Sequence, residues 1–200
     1  MVIRYIILLF VAINFFGCGS NGSENNNSKK AVIISKKEVK KKELLIQKPK
    51  YPEFFYIEDI DRRRSKIDIY KEKVIFHKIR QHIVILNIFS TSCPPCRGML
   101  PYLNDLQRKN RKDIFIIGIR VGETMSNKEL RAFMKKYHLS FFISNYYTNE
   151  NLANKIALSL NLPRDYKIPL TVIYKDGKYI IHLSGASPPE MIQNIIDQLK

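Results

Sequence analysis

Ile83–Phe89 reads IVILNIF, an almost unbroken apolar run, and four residues after it the chain presents Cys93-Pro94-Pro95-Cys96. A continuous apolar run of this length marks a strand buried on both faces, which requires packed layers above and below a sheet. Pro94–Lys109 then sets apolar against basic residues at helical spacing, with Pro101 as a kink. A buried strand that runs through a cysteine pair into a helix is the feature that most limits the fold.

The rest of the chain fits that start. Ile114–Val121 (IFIIGIRV) is a second buried strand. Ser126-Asn127-Lys128-Glu129 forms a capping box that opens a helix to about Tyr137. Phe141–Ser144 reads as a short strand and Asn149–Leu160 as a helix. Leu170–Tyr174 and Tyr179–Leu183 are strands joined across Lys175-Asp176-Gly177-Lys178, and Asp-Gly between two such runs is a strong hairpin signal. Pro188-Pro189 starts a last helix to about Leu199. Upstream, Glu53–Ile57 and Lys66–Tyr70 read as an N-terminal β-hairpin. The expected class is α/β, a mixed sheet flanked by helices on both faces with a hairpin extension.

The N-terminus reads as an address. Met1–Arg4 is a short positive start, Tyr5–Phe16 is apolar, and Gly17-Cys18 follows. Twelve helical residues span about 18 Å against a hydrocarbon layer of roughly 30 Å, which suits a signal-peptide core better than a membrane span. Phe15-Phe16-Gly17-Cys18 resembles a bacterial lipobox, which makes Cys18 the lipidation site, although Phe15 and Phe16 depart from its usual residues. An uncleaved anchor or plain secretion stays open, and each places residues 19–200 outside the cytoplasm.

Residues 19–50 read as a tether, first Asn/Ser-rich and then lysine-rich, with too little apolar surface to offset ordering entropy. The segment carries nine lysines against three glutamates, within a chain of net charge +16. Such a surplus fits nucleic acid or an anionic membrane. The export signal favours the membrane, with no nucleic-acid partner. The divisions expected are 1–18 signal peptide, 19–50 tether and 51–200 domain. A body of about 150 residues buries roughly 70% of its unfolded surface and needs no disulfide staples.

With Cys18 assigned to lipid, Cys93 and Cys96 remain. A helix N-terminus carries about half a positive charge and free N–H groups, which favour the thiolate that attacks disulfides. Cys93, nearest the helix tip, is the expected nucleophile, and Cys96, three places on, the resolving thiol. Zinc would need a second ligand pair, and His77, His82, His138 and His182 are scattered, so neither metal nor cofactor is expected. A structural disulfide would close a tiny loop and constrain little. That reading and an idle pair stay open on the residues alone.

Val84–Leu103 (VILNIFSTSCPPCRGMLPYL) resembles the active-site block of the TlpA/ResA-like branch of the thioredoxin family. The likeness runs over roughly residues 51–200. Tyr51-Pro52-Glu53-Phe54 is similar to that branch's first strand, Asn87 to its strand asparagine and Pro101 to its kink proline. Val121-Gly122-Glu123 is similar to its insertion, and Gly185 closes the last strand of the pattern. Ile168-Pro169 matches the cis-proline, and the resemblance implies that the Ile168 backbone pairs with a substrate segment. Ser92 and Met99 depart from the pattern. Met99 stands where several members carry a glutamate, and Glu123 is the replacement to consider.

The resemblance implies a membrane-anchored thiol–disulfide oxidoreductase. Its implied setting is the periplasmic side of the cell envelope, as a monomer. Its implied partners are oxidised protein substrates, apocytochrome c among them, and a membrane electron donor. A disulfide donor of the same fold, or a redox-inactive lipoprotein adaptor, are the alternatives. Pro94 and Pro95 lack N–H donors, so the Cys96 N–H, the helix dipole and Arg97 are left to stabilise the Cys93 thiolate. Pro95 also disfavours an α conformation at Pro94, which predicts a helix beginning at Pro95. The expected Cys93 pKa lies nearer thioredoxin's value of about 7 than the value of about 3.5 found in strong oxidants.

Overall fold

The computed structural model describes residues 52–71 and 73–200; the expected signal peptide (1–18, with Cys18), the expected tether (19–50) and Tyr51 lie outside them. The described chain forms a three-stranded and a five-stranded sheet with four helices. β1 (Glu53–Glu58) and β2 (Arg64–Ile69) pair antiparallel as the expected hairpin, and β3 (Val74–Phe76) adds a third strand antiparallel to β2. Three residues of Val-Ile-Phe are too short to carry a period of their own.

The five-stranded sheet orders β6-β5-β4-β7-β8. β4 (Ile83–Phe89) is central and buried at every position. It pairs parallel with β5 (Ile114–Arg120) and antiparallel with β7 (Leu170–Lys175). β6 (Phe142–Ser144) and β8 (Lys178–Ser184) form the edges. The β7–β8 turn has positive φ at both Asp176 (51°) and Gly177 (75°), as a two-residue I′ hairpin turn requires. The Val74 N–H donates to the Gly177 carbonyl at 2.8 Å, which docks β3 on that turn.

Alternate residues of β4 feed two cores. Val84, Leu86 and Ile88 pack with β1, β2 and α3 (Asn149–Ser159) on one face. Ile83, Ile85 and Phe89 pack on the other with α1 (Pro94–Lys109), α2 (Asn127–Lys136) and α4 (Pro189–Leu199). This is the mixed α/β sheet with helices on both faces that the strand–helix order predicts. α1 buries Cys96, Met99, Leu100, Leu103 and Leu106, the stripe of one amphipathic face. Each of its fully buried leucines contributes about 1.5–3 kcal/mol. α2 begins with the expected capping box, Ser126 and Glu129 bonding each other's backbone N–H.

One expectation at the helix start is corrected. α1 begins at Pro94 rather than Pro95, with Cys93 as its extended N-cap at φ −77° and ψ 112°. The first N–H groups of a helix have no intrahelical partner, so prolines at the first two positions forfeit no bond, and this outweighs the conformational restriction on the residue before a proline. Among the described residues no helix is long and apolar enough to cross a membrane.

Candidate active site

β4 ends at Phe89, and Ser90-Thr91-Ser92 carries the chain to Cys93 at the tip of α1. Cys93 and Cys96 are joined as a disulfide, their Cα atoms 5.2 Å apart. Their exposures differ in a way that bears on role. Cys96 is 1% exposed within the α1 core, whereas Cys93 is half-buried beside the exposed Pro94 and Pro95. An incoming reagent therefore meets Cys93 first. The Cys96 N–H donates to Cys93 Sγ at 3.3 Å. Cys93 Sγ also lies 3.9 Å from the Ile168 carbonyl oxygen, which a reduced Cys93 thiol would face as an acceptor.

The Ile168–Pro169 peptide bond is cis. Pro169 is buried and its carbonyl accepts the Gly185 N–H at 2.8 Å, while Ile168 is half-buried beside the disulfide. Asn87, two residues before the end of β4, is 1% exposed and donates through Nδ2 to Thr171 Oγ1 at 2.9 Å. Its Oδ1 is buried without a partner among the described residues.

The loop before Cys93 is held from two sides by Arg97 and Glu123, through bonds the sequence does not reveal. The bonds that Arg97 makes are to loop carbonyls. Its guanidinium donates to the Thr91 carbonyl at 3.1 Å and the Ser92 carbonyl at 2.9 Å. From the other side, Thr91 Oγ1 donates to the Glu123 carboxylate at 3.2 Å. Bonding from the Ser92 hydroxyl first, and then from Thr91, holds the Glu123 carboxyl below the usual carboxylate range. Buried Arg120 bonds the Glu123 carbonyl and Asn145 Oδ1, fixing the β5–α2 connection on which Glu123 sits. The signal for this frame is the polar triplet Ser90-Thr91-Ser92, but Glu123 and the Arg120 that holds it are distant in sequence. Met99 lies buried in the α1 core and brings no ionisable group. Among the described residues no group of three or more His, Cys, Asp or Glu is placed to hold a metal ion.

A Cys-Pro-Pro-Cys disulfide at a helix N-cap, one sulfur reachable and one enclosed, just past the central strand of a mixed sheet, defines a thioredoxin-like thiol–disulfide oxidoreductase. Residues 59–178 match the profile of the AhpC/TSA family, and the chain belongs to that family. The thiol–disulfide oxidoreductase ResA of Bacillus thuringiensis subsp. konkukian is 26% identical over 146 residues, covering 72% of this chain and 74% of its own. ResA of Geobacillus thermodenitrificans is likewise 26% identical over 148 residues. Among solved structures, a thioredoxin-family thiol:disulfide interchange protein from Chlorobium tepidum superposes with a TM-score of 0.57 at 16% identity, covering 76% of this chain and 97% of that one. StoA from Bacillus subtilis superposes with a TM-score of 0.51 at 17% identity, over 73% and 98%. These two share the fold.

Proposed function

We propose that the chain is a membrane-tethered reductant of disulfides in extracytoplasmic proteins, apocytochrome c being a candidate substrate. The tether is the lipidated Cys18 followed by residues 19–50, and the working form is a monomer on the periplasmic side of the envelope. In the reduced state the Cys93 thiolate attacks a substrate disulfide, forming a mixed disulfide and releasing one substrate thiolate. Cys96 then loses its proton and attacks Cys93 Sγ, closing the Cys93–Cys96 disulfide and releasing the second substrate thiolate. Two electrons pass to the substrate, and a membrane dithiol donor returns them. Ile168 and Pro169 line the substrate's path, and the Ile168 carbonyl beside Cys93 offers backbone pairing to an extended substrate segment.

The observation that carries the direction is the donor set at Cys93 Sγ. It receives the Cys96 N–H, while Pro94 and Pro95 supply none and Arg97 is committed to the loop carbonyls. A thiolate with so few donors is only moderately stabilised, which keeps the dithiol reducing. The test is trapping. Cys96→Ser should accumulate a mixed disulfide through Cys93, identifiable by mass spectrometry, and Cys93→Ser should abolish both trapping and insulin reduction. Insulin reduction that survives Cys93→Ser would reject the assignment, and a reduction potential near −120 mV would reverse the direction to a disulfide donor.

A further inference from the structure

The outer face of the three-stranded sheet carries a row of aromatic rings that the redox chemistry does not use. Phe54 and Tyr56 point outward from β1, with ring centroids 5.9 Å apart. Tyr56 continues to Tyr146 at 6.5 Å, and Tyr146 to Tyr147 at 4.5 Å, in the loop between β6 and α3. Phe54 is 56% exposed and Tyr147 is 84% exposed. Cations from the neighbouring strand sit over the rings. The Arg64 guanidinium lies 5.1 Å from the Tyr146 centroid and the Lys66 ammonium 5.0 Å from that of Phe54.

We propose that this face docks on an anionic phospholipid surface, with the rings in the headgroup layer and Arg64 and Lys66 among the phosphates. The inference rests on the tethered reading of the N-terminus. Three observations select lipid as the occupant. The rings are mostly tyrosines with a cation alongside, the amphipathic chemistry that suits a membrane–water interface. The patch also holds the cations Arg64, paired to Glu58 at 2.6 Å, and Lys66, paired at 2.8 Å to Asp68, which is itself buried. A dry protein interface would have to bury these charges at its centre, where they are depleted. Finally, Phe54 follows Lys50 by four positions, so the docking strand directly continues the basic segment, whose lysines are drawn to an anionic surface. The patch lies on the β1–β3 layer and the α1 layer is on the other face of the five-stranded sheet, so docking leaves α1 uncovered.

The chain has no tryptophan, so one introduced indole is an unambiguous reporter. The full chain carrying Tyr147→Trp is assembled with brominated-lipid nanodiscs, of phosphatidylcholine alone or with phosphatidylglycerol. Tyr102→Trp, on exposed α1, is the control. Co-elution with the neutral discs reads the tether by itself. Docking predicts quenching and a blue shift at position 147 on anionic discs, reversed by high salt, with position 102 unchanged. Adding Lys66→Glu and Phe54→Ser should weaken that quenching about fivefold or more. Co-elution with an unquenched indole at 147 overturns docking and leaves the tether standing. Failure to co-elute with neutral discs, while quenching on anionic ones persists, rejects the tether and sustains the docking surface. An indole unquenched by lipid but shielded from iodide marks a protein contact at this face, and overturns the lipid assignment.

Discussion

Asn87 is the polar residue inside an otherwise apolar strand, and its environment shows what one side chain decides here. It shares the α1-facing side of β4 with Ile85 and Phe89, and Thr171 alone satisfies its amide nitrogen. Asn87→Asp would place a carboxyl where water is excluded, and burial raises the pKa of such a group. An acid whose folded pKa is raised stabilises below its unfolded value, near 3.9, and loses that contribution as pH rises. The variant should therefore be less stable than the wild type by about 1–3 kcal/mol at pH 7, with a smaller deficit at pH 4. Urea titrations at both pH values check this, and an equal loss at each would contradict it. The residue was legible as an interruption in IVILNIF. Its partner was not, because Thr171 meets it only through strand pairing across 84 positions.

β5 passes beside Asn87 at Gly118, where the neighbours would have to shift to admit even a methyl group. A Cβ there would sit 3.0 Å from Phe89 Cε1 and 3.2 Å from Ile143 Cγ1. Gly118→Ala should lower stability by about 1–3 kcal/mol through overpacking, read as a shifted urea midpoint, and an unchanged midpoint would refute the packing described. Elements whose signals are local were readable from sequence. β4 shows as an apolar run, α2 as a capping box and the β7–β8 turn as Asp-Gly. β3 was not, since its three residues are strand only because β2 and the Gly177 carbonyl receive them. Arg97 and Glu123 were named from the sequence, but the bonds they make around Cys93 were not. The hydroxyl bond from Thr91 to Glu123 joins segments 32 positions apart, and Arg97 looks like any exposed first-turn charge until it is seen holding two carbonyls.

The protein joins a redox site to an N-terminal sheet, and pH acts on each through different groups. On the sheet, burial works to raise the pKa of Asp68, but bonds from Lys66 and His77 outweigh it and hold the carboxyl below its usual range. His77 Nε2 lies 2.8 Å from Asp68 Oδ2, and Lys66 Nζ pairs with Oδ1 at 2.8 Å without hydrogen-bond alignment. A carboxyl with a depressed folded pKa stabilises above its unfolded value and loses that contribution as pH falls through the folded one. Acid titration should show stability falling below about pH 4, with a shallower slope in Asp68→Asn. Identical slopes would remove Asp68 from the account. At the redox edge, pH acts through sulfur. The most direct measurement is iodoacetamide alkylation of the fully reduced protein across pH, resolved by residue. Cys93 should be modified with an apparent pKa nearer thioredoxin's value, about 7, than the value of about 3.5 found in strong oxidants, while the enclosed Cys96 stays unmodified. Alkylation of Cys96 first, or a Cys93 inert at neutral pH, would contradict the assignment of nucleophile and resolving thiol.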